Sequence, residues 1–383
     1  MSDFHLATRM AMHKKADKWR EPLVRDAASL THCFCHNDYL GHAQHPKVIA
    51  AAQAATEMYG TSSTGSALIT GQTELTQQFE AQFAEFVGFP DARFFSSGYL
   101  ANLAVQSVFC HKNDVICQDK LCHASLIDGA QLSGATLKRY AHCDVQHLQT
   151  LLTKAPATKR FVVTDTVFSM QGNCAPLRDL KDVAKAHRTH LIVDEAHGIG
   201  VLGKHGRGAL EAQGVSPNDV FAAVYPLGKA WGSAGAIVAG SGDVIAALTQ
   251  FARPYFYNTA LPPSVLAANL ASLDVARTEG WRREKLYELV AFFREQLMQF
   301  DLPTIDSATA IQPIVIGDNA QTLRMSEQLK ARGFWVHPIR PPSVSENQAC
   351  LRVTVSVSHS KVQLKQLAEH LADLIKEDAS YAA

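Results

Sequence analysis

An apolar run that ends in acidic residues is the first candidate for chemistry in this chain. Residues 191–198 (LIVDEAHG) predict a buried β-strand with Asp194 at its carboxyl end, where open α/β sheets bind their ligands. A carboxylate at this edge needs a cationic or hydrogen-bonding partner, because burying an unpaired charge is costly. A protonated ring nitrogen of a bound ligand would be a suitable partner for Asp194.

A lysine between two glycines is the second candidate. Lys229 follows a predicted strand, and Gly228 and Gly232 on either side permit a close approach of the backbone. A lysine amine in a partly desolvated pocket can have a lowered pKa and can form a Schiff base with a carbonyl compound. The segment between Asp194 and Lys229 is long enough for one more strand and its connections.

A turn that opens a helix is the third candidate. Residues 94–102 (FFSSGYLAN) are typical of a strand, a turn and a helix start, which predicts a phosphate site at Gly98 and Tyr99. His123 follows a further predicted strand. Each pattern alone is more typical of an ordinary cap, turn or surface side chain. In this order, together with Asp194 and Lys229, the patterns supply what pyridoxal 5′-phosphate (PLP) needs to act as an electron sink.

Alternating helix and strand patterns must position these residues. Residues 46–59 and 73–87 predict helices that end before Gly60 and Gly88. Seven further segments have the composition of short strands, at residues 93–95, 115–117, 136–140, 161–164, 191–193, 220–224 and 236–239. Because helical patterns separate most of them, we predict an α/β fold with a mainly parallel, seven-stranded sheet.

The pattern changes after residues 261–263 (LPP). A long helical pattern over residues 279–299 leads to predicted strands, at 311–316, 334–337 and 351–355, and to a final amphipathic helix. We therefore predict three parts: an N-terminal arm over residues 1–40, a large domain over 41–262 and a smaller C-terminal α+β domain over 263–383.

Composition limits the function classes. The chain has 383 residues with 47% hydrophobic and 19% charged, which is typical of a globular protein. Lys+Arg and Asp+Glu both number 36, so no basic surplus favours nucleic-acid binding. The start of the chain lacks the apolar core of a secretory signal, and we see no long apolar run. We expect a cytoplasmic protein that binds neither nucleic acid nor membranes.

Cysteines and histidines raise the question of a metal site. The eight cysteines are scattered without a C-x-x-C pair, which favours thiols over a disulfide framework. Residues 32–36 (HCFCH) are rich in zinc-ligand types. In an extended segment, however, Cys33 and Cys35 would face away from His32 and His36. We therefore predict no metal.

Several motifs resemble those of fold-type I PLP enzymes, and among these the α-oxoamine synthases. The matching stretches extend over about residues 36–376 and comprise 37–41 (NDYLG), 60–66 (GTSSTGS), 98–99 (GY), 123–125 (HAS), 167–170 (VFSM), 194–198 (DEAHG) and 228–229 (GK). Residues 339–344 (IRPPSV) and 351–354 (LRVT) most resemble the member that condenses L-alanine with a pimeloyl thioester, carried by CoA or a carrier protein, in biotin synthesis. The resemblance implies PLP as cofactor, release of CO2 and a homodimer.

The resemblance also implies roles for the matching residues that face the cofactor. Lys229 would be joined covalently to PLP and would move the substrate Cα proton. Asp194 would pair with the ring nitrogen, and His123 would stack on the ring. The remaining contacts would be made at the 3-oxygen side by Ser169 and His197, and at the phosphate by Gly98, Tyr99 and Thr259, the last from a partner subunit.

The substrate contacts follow from the same resemblance. Arg352 would hold the carboxylate of the amino acid, since a guanidinium fork fits that geometry. The rest of the substrate site would be lined by Asn37, Arg340 and Ser343. Two features depart from the family pattern. Pro226 stands where a phosphate-binding Thr or Ser is usual, and the basic N-terminal residue that meets the acyl group could be Lys18, Arg20 or Arg25.

Three alternatives remain at this point. The chain could be another synthase of the family, such as one that uses glycine and acetyl-CoA. It could be an NAD-dependent oxidoreductase, because residues 198–203 (GIGVLG) match a dinucleotide-binding pattern, although the residues that follow are poorly helical. It could also be a non-catalytic relative, an interpretation that only Pro226 supports.

Overall fold

The computed structural model describes residues 3–22, 24, 32–155 and 159–381. The chain divides into a larger unit, Leu40–Ser169 with Cys174–Arg283, and a smaller unit, Met1–Tyr39 with Met170–Asn173 and Glu284–Ala383. The predicted three-part division, with boundaries at residues 40 and 262, stays a prediction, because the contacts define two units and place residues 263–283 in the larger one.

The larger unit is built on one sheet. Among the described residues it has seven strands, β1 (Asp91–Phe95), β2 (Val115–Asp119), β3 (Thr136–Tyr140), β4 (Arg160–Asp165), β5 (His190–Asp194), β6 (Ala222–Pro226) and β7 (Ala236–Gly240). Their order is β1-β7-β6-β5-β4-β2-β3. All neighbours from β6 to β3 are parallel, while β7 is antiparallel to both β6 and β1. The predicted mainly parallel, seven-stranded sheet is confirmed.

Helices surround this sheet. They are α2 (Pro46–Tyr59), α3 (Glu74–Val87), α4 (Gly98–Phe109), α5 (Ala124–Ser133), α6 (Val145–Lys154), α7 (Leu177–Ala186), α8 (Ala209–Ala212), α9 (Gly242–Phe251), α10 (Arg253–Phe256) and α11 (Pro263–Thr278); a further helix, α1 (Asp3–Lys15), precedes them in the smaller unit. The predicted ends of α2 and α3 are confirmed, because Gly60 and Gly88 take positive φ angles of 78° and 80° there.

The core of the larger unit lies on both faces of the sheet. Successive side chains of β5 alternate between the faces, so Val193 belongs to one apolar cluster and Ile192 to the other. Residues of α4 and α5 pack in the same cluster as Ile192. Asp194 is two residues beyond Ile192, and the alternation therefore directs its carboxylate towards the face that α4 and α5 cover.

The smaller unit contains a three-stranded antiparallel sheet in its described part. The strands are β8 (Ile311–Gly317), β9 (His337–Ile339) and β10 (Ala349–Thr354), in the order β8-β10-β9. The accompanying helices are α12 (Trp281–Gln299), whose first three residues belong to the larger unit, α13 (Asn319–Ala331) and α14 (Lys361–Tyr381). None of the helices in the described part of the chain combines the length and the apolar composition needed to span a membrane.

The predicted strand at residues 334–337 is displaced towards the C-terminus. Strand β9 begins only at His337, because the preceding backbone pairs with the N-terminal segment instead. The Phe34 N–H donates to the Trp335 carbonyl at 2.8 Å, and the Trp335 N–H donates to the His32 carbonyl at 3.0 Å. This pairing joins residues about 300 positions apart, and no local sequence pattern could have predicted it.

Candidate active site

The carboxylate of Asp194 is fixed at the carboxyl end of β5. The side chain is buried, with 3% of its surface exposed. Its Oδ2 accepts a hydrogen bond from Asn102 Nδ2 at 2.6 Å, and its Oδ1 accepts one from the Ala196 N–H at 2.8 Å. Each carboxylate oxygen can accept a second bond. Asp194 is therefore held in one orientation and can still pair with a donor of a ligand.

The imidazole of His123 is held in one tautomer at the start of α5. Its Nδ1 accepts a hydrogen bond from the Ser125 N–H at 3.2 Å and lies 2.8 Å from Ser125 Oγ. A ring nitrogen that accepts carries no proton, so the proton of the neutral ring is on Nε2. Burial lowers the pKa of His123; the charge of Asp194 raises it, and that of Lys229 lowers it. The imidazole of His123 is therefore uncharged and is held in one orientation.

A second carboxyl group lies beside Asp194. Asp165 ends β4 and is in register with Asp194 across the sheet. Its Oδ2 accepts a hydrogen bond from the His123 N–H at 2.8 Å. Burial raises the pKa of Asp165 well above its usual range, and the charge of Asp194 raises it further. Asp165 therefore takes up a proton much more readily than an exposed carboxylate, while it holds the backbone in front of α5.

The first turn of α4 lies against the end of β6. Ser97 Oγ accepts a hydrogen bond from the Leu100 N–H at 3.3 Å and begins the helix. A Cβ atom at Gly98 would lie 2.6 Å from Cγ of Pro226, so only glycine fits there without displacement. The Gly98 and Tyr99 N–H groups belong to the helix start, which has no intrahelical acceptors for them. Pro226, the unusual residue, is thus the surface against which this turn packs.

Lys229 follows β6 at the same edge of the sheet. It is partly exposed, and its carbonyl accepts a hydrogen bond from the Gly232 N–H at 2.8 Å. Its positive charge lowers the pKa values of both His123 and Asp165. The structure therefore brings together the lysine, the histidine and the strand-end aspartate that the sequence singled out.

The two residues predicted for the 3-oxygen side lie in neighbouring turns. Ser169 is enclosed by the bridge between Val167 and Cys174, and His197 is buried in the turn after β5. Buried Glu195 holds this turn in place. Its carboxylate accepts hydrogen bonds from Thr166 Oγ1 at 2.8 Å and from two N–H groups at the start of α8, each at 2.9 Å. No local pattern in the sequence predicts this role of Glu195.

Other predicted positions are also in the larger unit. Thr259 forms a bridge with Ser66, and Tyr99 is 43% exposed, with its ring edge-on to that of His123 at 6.5 Å between centroids.

Residues 198–206, which include the match to a dinucleotide-binding pattern, form turns, and α8 begins only at Ala209 and has four residues. A dinucleotide-binding pattern requires a helix directly after its glycines, so the structure does not support that alternative.

In the smaller unit, Asn37 and Arg352 are hydrogen-bonded to each other. A guanidinium N–H of Arg352, on β10, donates to Asn37 Oδ1 at 3.2 Å, and the Tyr39 hydroxyl donates to the same oxygen at 3.0 Å. Arg352 and Tyr39 are buried, and burial raises the pKa of the Tyr39 hydroxyl. The amide of Asn37 thus orients a buried arginine.

Arg340 and Ser343 form a separate group with the N-terminal residues. Arg340 donates to the carbonyls of Asp17 and, at 3.1 Å, of Trp19. Ser343 Oγ accepts a hydrogen bond from Arg20 at 3.2 Å. Lys18 forms an ion pair with Glu346 at 2.6 Å. Of the three basic candidates for the acyl substrate, Lys18 and Arg20 therefore lie beside this loop, and Arg25 lies outside the described residues.

Two clusters have side chains of metal-ligand type. Cys33 Sγ and Cys35 Sγ are 3.5 Å apart, in agreement with their predicted common face. In the described part of the chain, Asp119, His142 and Cys143 also have ligand atoms within 4.8 Å of one another. The Asp119 carboxylate already accepts bonds from His142 at 2.9 Å and from two backbone N–H groups. These bonds account for Asp119 as a loop anchor, and the absence of a metal stays a prediction.

Comparison with known proteins finds similarity over nearly the whole chain. The family model described as aminotransferase class I and II matches residues 33–371. A curated relative, the 8-amino-7-oxononanoate synthase of Pseudomonas putida (strain W619), is 47% identical over 380 residues, which cover 97% of each chain.

Solved structures are similar as well. The 8-amino-7-oxononanoate synthase from Francisella tularensis has a TM-score of 0.79 and 35% identity, covering 91% of this chain and 98% of that one. A serine palmitoyltransferase from S. paucimobilis with a bound PLP–myriocin aldimine has a TM-score of 0.87 and 29% identity, covering 90% and 87%. The family match over residues 33–371 includes the elements that carry Asp194, His123 and Lys229.

Proposed function

We propose that this chain is a PLP-dependent acyltransferase of biotin synthesis. The chain belongs to the aminotransferase class I and II family and, within it, to the α-oxoamine synthases. It condenses L-alanine with a pimeloyl thioester to 8-amino-7-oxononanoate, with release of CO2 and the thiol carrier. The observation that carries the proposal is the arrangement of Asp194, His123 and Lys229 at one edge of the sheet. The near-full-length similarity to synthases of this name supports the choice of reaction.

The residues present fit PLP. Asp194 is a buried carboxylate with acceptor capacity for a ring N–H, and His123 offers a neutral plane. The glycine-dependent start of α4 offers N–H groups for a phosphate, and Lys229 offers an amine. When bound, PLP supplies an electron sink for the carbanion that forms when a bond at the substrate Cα breaks.

The chain's own residues then have defined tasks. Lys229 takes the proton from the substrate Cα and returns it at the end of the reaction. Asp194 keeps a proton on the ring nitrogen, because a buried carboxylate stabilises the adjacent positive charge. Ser169 and His197 orient the 3-oxygen side, and Thr259 contacts the phosphate from a partner subunit in a homodimer.

Substrate binding is assigned to the smaller unit's side chains. Arg352 binds the carboxylate of alanine through its guanidinium fork, and Asn37 holds that fork in place. Arg340 and Ser343 contact the acyl substrate, together with Lys18 or Arg20. An arginine that pairs with a carboxylate orients the amino acid and thereby selects which bond at Cα breaks.

The close fit at Gly98 gives a prediction for cofactor affinity. Gly98→Ala should raise the Kd for PLP about tenfold, because the added methyl group collides with Pro226 and overpacking costs about 1–3 kcal/mol. Titration of the unloaded chain with PLP, followed by visible absorbance, measures this effect.

Gly242→Ala is the matched control for Gly98→Ala. Gly242 is likewise the first residue of a helix that a serine begins, and a Cβ atom there has no neighbour within 4 Å. Its substitution should leave the Kd for PLP unchanged. Equal effects of the two substitutions would contradict the assignment of the phosphate to the first turn of α4.

A panel of substrates tests the reaction. We expect thiol release when the PLP-loaded chain receives L-alanine and pimeloyl-CoA or a pimeloyl carrier protein, and much slower release with glycine and acetyl-CoA. Assaying each amino acid with each thioester separates the choice of amino acid from the choice of acyl group. Turnover of glycine and acetyl-CoA, with none of alanine and the pimeloyl thioesters, would contradict the proposed substrates and would favour another synthase of the family.

A further inference from the structure

A single amide connects the two residues that are assigned to the cofactor ring. Asn102 lies on α4, one turn beyond Gly98, and is 1% exposed. Its Nδ2 donates to Asp194 Oδ2 at 2.6 Å and to Ser125 Oγ at 2.9 Å. Both N–H groups of the Asn102 amide are therefore directed at residues of the proposed cofactor site, Asp194 and Ser125.

The orientation of this amide lowers the stability of the fold, because it leaves the amide oxygen without a hydrogen bond. Asn102 Oδ1 is buried and has no hydrogen-bond partner among the described residues. Turning the amide over would bring Oδ1 against the Asp194 carboxylate, so the charge of Asp194 fixes the orientation. A buried polar atom without a partner destabilises a fold and calls for an explanation. A role towards a ligand of Asp194 supplies one.

The second N–H of Asn102 acts on His123 through Ser125. Ser125 Oγ accepts from Asn102, and its own proton is then directed to His123 Nδ1 at 2.8 Å. This bond keeps the imidazole proton on Nε2. One amide thus holds the carboxylate that meets the ring nitrogen and sets the tautomer of the imidazole that meets the ring face.

We infer that Asn102 is a positioning residue for the PLP ring, acting on Asp194 directly and on His123 through Ser125. The inference rests on the proposed function, because it assigns a purpose to the hydrogen bonds only if Asp194 and His123 contact the ring. The pattern of residues 94–102 predicts a phosphate-binding helix start at Gly98 and Tyr99 but no role for Asn102 itself. One partner is 92 residues further along the chain, so spacing gave no signal.

Two substitutions that keep the branching and the number of side-chain heavy atoms of asparagine test the inference. Asn102→Leu removes both N–H donors, and we expect the Kd for PLP to rise about tenfold at every pH, with kcat reduced about tenfold and the KM for alanine within about twofold. Asn102→Asp places a second carboxylate next to Asp194. The two carboxylates repel each other when both are ionised, and they share a proton with a raised pKa when the pH falls.

The two substitutions therefore differ in their pH profiles. A proton bound between the carboxylates in the Asn102→Asp chain donates a hydrogen bond in place of the amide, so PLP affinity should recover between about pH 8.5 and pH 6.5. The Asn102→Leu chain should show no such recovery. The other titrating groups around Asp194, namely Asp165, His123 and Lys229, are present in all chains, and the wild-type profile accounts for them.

Gln106→Leu is the matched control for a purely structural role. Gln106 is a buried amide one turn further on α4, bonded to the Leu126 carbonyl at 2.9 Å and to Gln118 at 2.9 Å. Its substitution should lower the thermal stability of the unloaded chain and leave the Kd for PLP within about twofold of wild type.

The wild-type chain separates failure of the inference from failure of the proposed function. If the wild type binds no PLP, the proposed function is wrong. If the wild type binds PLP and Asn102→Leu binds equally well, or if Asn102→Asp loses affinity equally at every pH, the inference is wrong. Should Asn102→Leu fail to fold, the pH profile of Asn102→Asp, which keeps the shape of the amide, decides alone.

Discussion

Replacement of Lys229 by alanine is expected to reduce turnover of alanine and pimeloyl-CoA by at least about a thousandfold. The substitution removes the proposed covalent attachment point of the cofactor together with the proposed base at the substrate Cα, and general acid–base catalysis alone contributes about 10²–10⁴-fold. Thiol release under saturating substrate measures the effect. Circular dichroism of the same sample should show the wild-type secondary structure, because the partly exposed Lys229 side chain is not part of the core.

A second lysine provides the control for this substitution. Lys204 is an exposed residue of the loop that follows the turn of His197, in the same unit as Lys229. Lys204→Ala should retain full activity, because among the described residues Lys204 makes a hydrogen bond only through its backbone carbonyl, which accepts from Arg283 at 3.3 Å. Turnover by the Lys229→Ala chain within tenfold of wild type would exclude Lys229 as the base and the attachment point.

Replacement of Asp194 by asparagine should have the next largest effect, a fall in kcat of at least about a hundredfold. The substitution keeps the shape and one of the two oxygen acceptors, which can serve either the Asn102 amide or the Ala196 N–H, and it removes the charge. Loss of one member of a buried charge pair costs about 3–5 kcal/mol, and each factor of ten corresponds to about 1.4 kcal/mol. Steady-state kinetics and the visible spectrum of the bound cofactor should both change.

Asp165→Asn is the matched control, because Asp165 is the residue in register with Asp194 on the neighbouring strand. Burial and the nearby charge of Asp194 raise the pKa of Asp165 well above its usual range, so its protonated form is neutral like asparagine. The introduced amide oxygen can still accept from the His123 N–H. Asp165→Asn should therefore cost much less activity, and equal losses in the two variants would contradict the special role of Asp194.

Local patterns were sufficient to predict much of the larger unit. The ends of α2 and α3 follow from glycines that adopt positive φ angles, and the strands follow from apolar runs. Asp194 and Lys229 could be singled out because each stands just after such a run. These features depend on residues that are adjacent in the chain, so they can be predicted from short sequence patterns.

Features that depend on distant partners were not predicted. The antiparallel direction of β7 depends on how the chain returns after Lys229, and an apolar run looks the same in either direction. The displaced β9 depends on backbone pairing with residues 32–34. Asn102, Ser125 and Glu195 were assigned no role, because their hydrogen bonds join strand ends and helix starts that only the folded sheet brings together.

Reduction of the PLP-loaded chain with borohydride, followed by peptide mapping by mass spectrometry, tests the central assignment most directly. Borohydride converts a C=N bond between a lysine amine and the cofactor aldehyde into a stable C–N bond, so the label marks the attached residue. We predict a pyridoxyl mass on the peptide that contains Lys229, and none on any peptide of the Lys229→Ala chain. A label on a different lysine of the wild-type chain, or a colourless chain that binds NAD and takes up no label, would contradict the account.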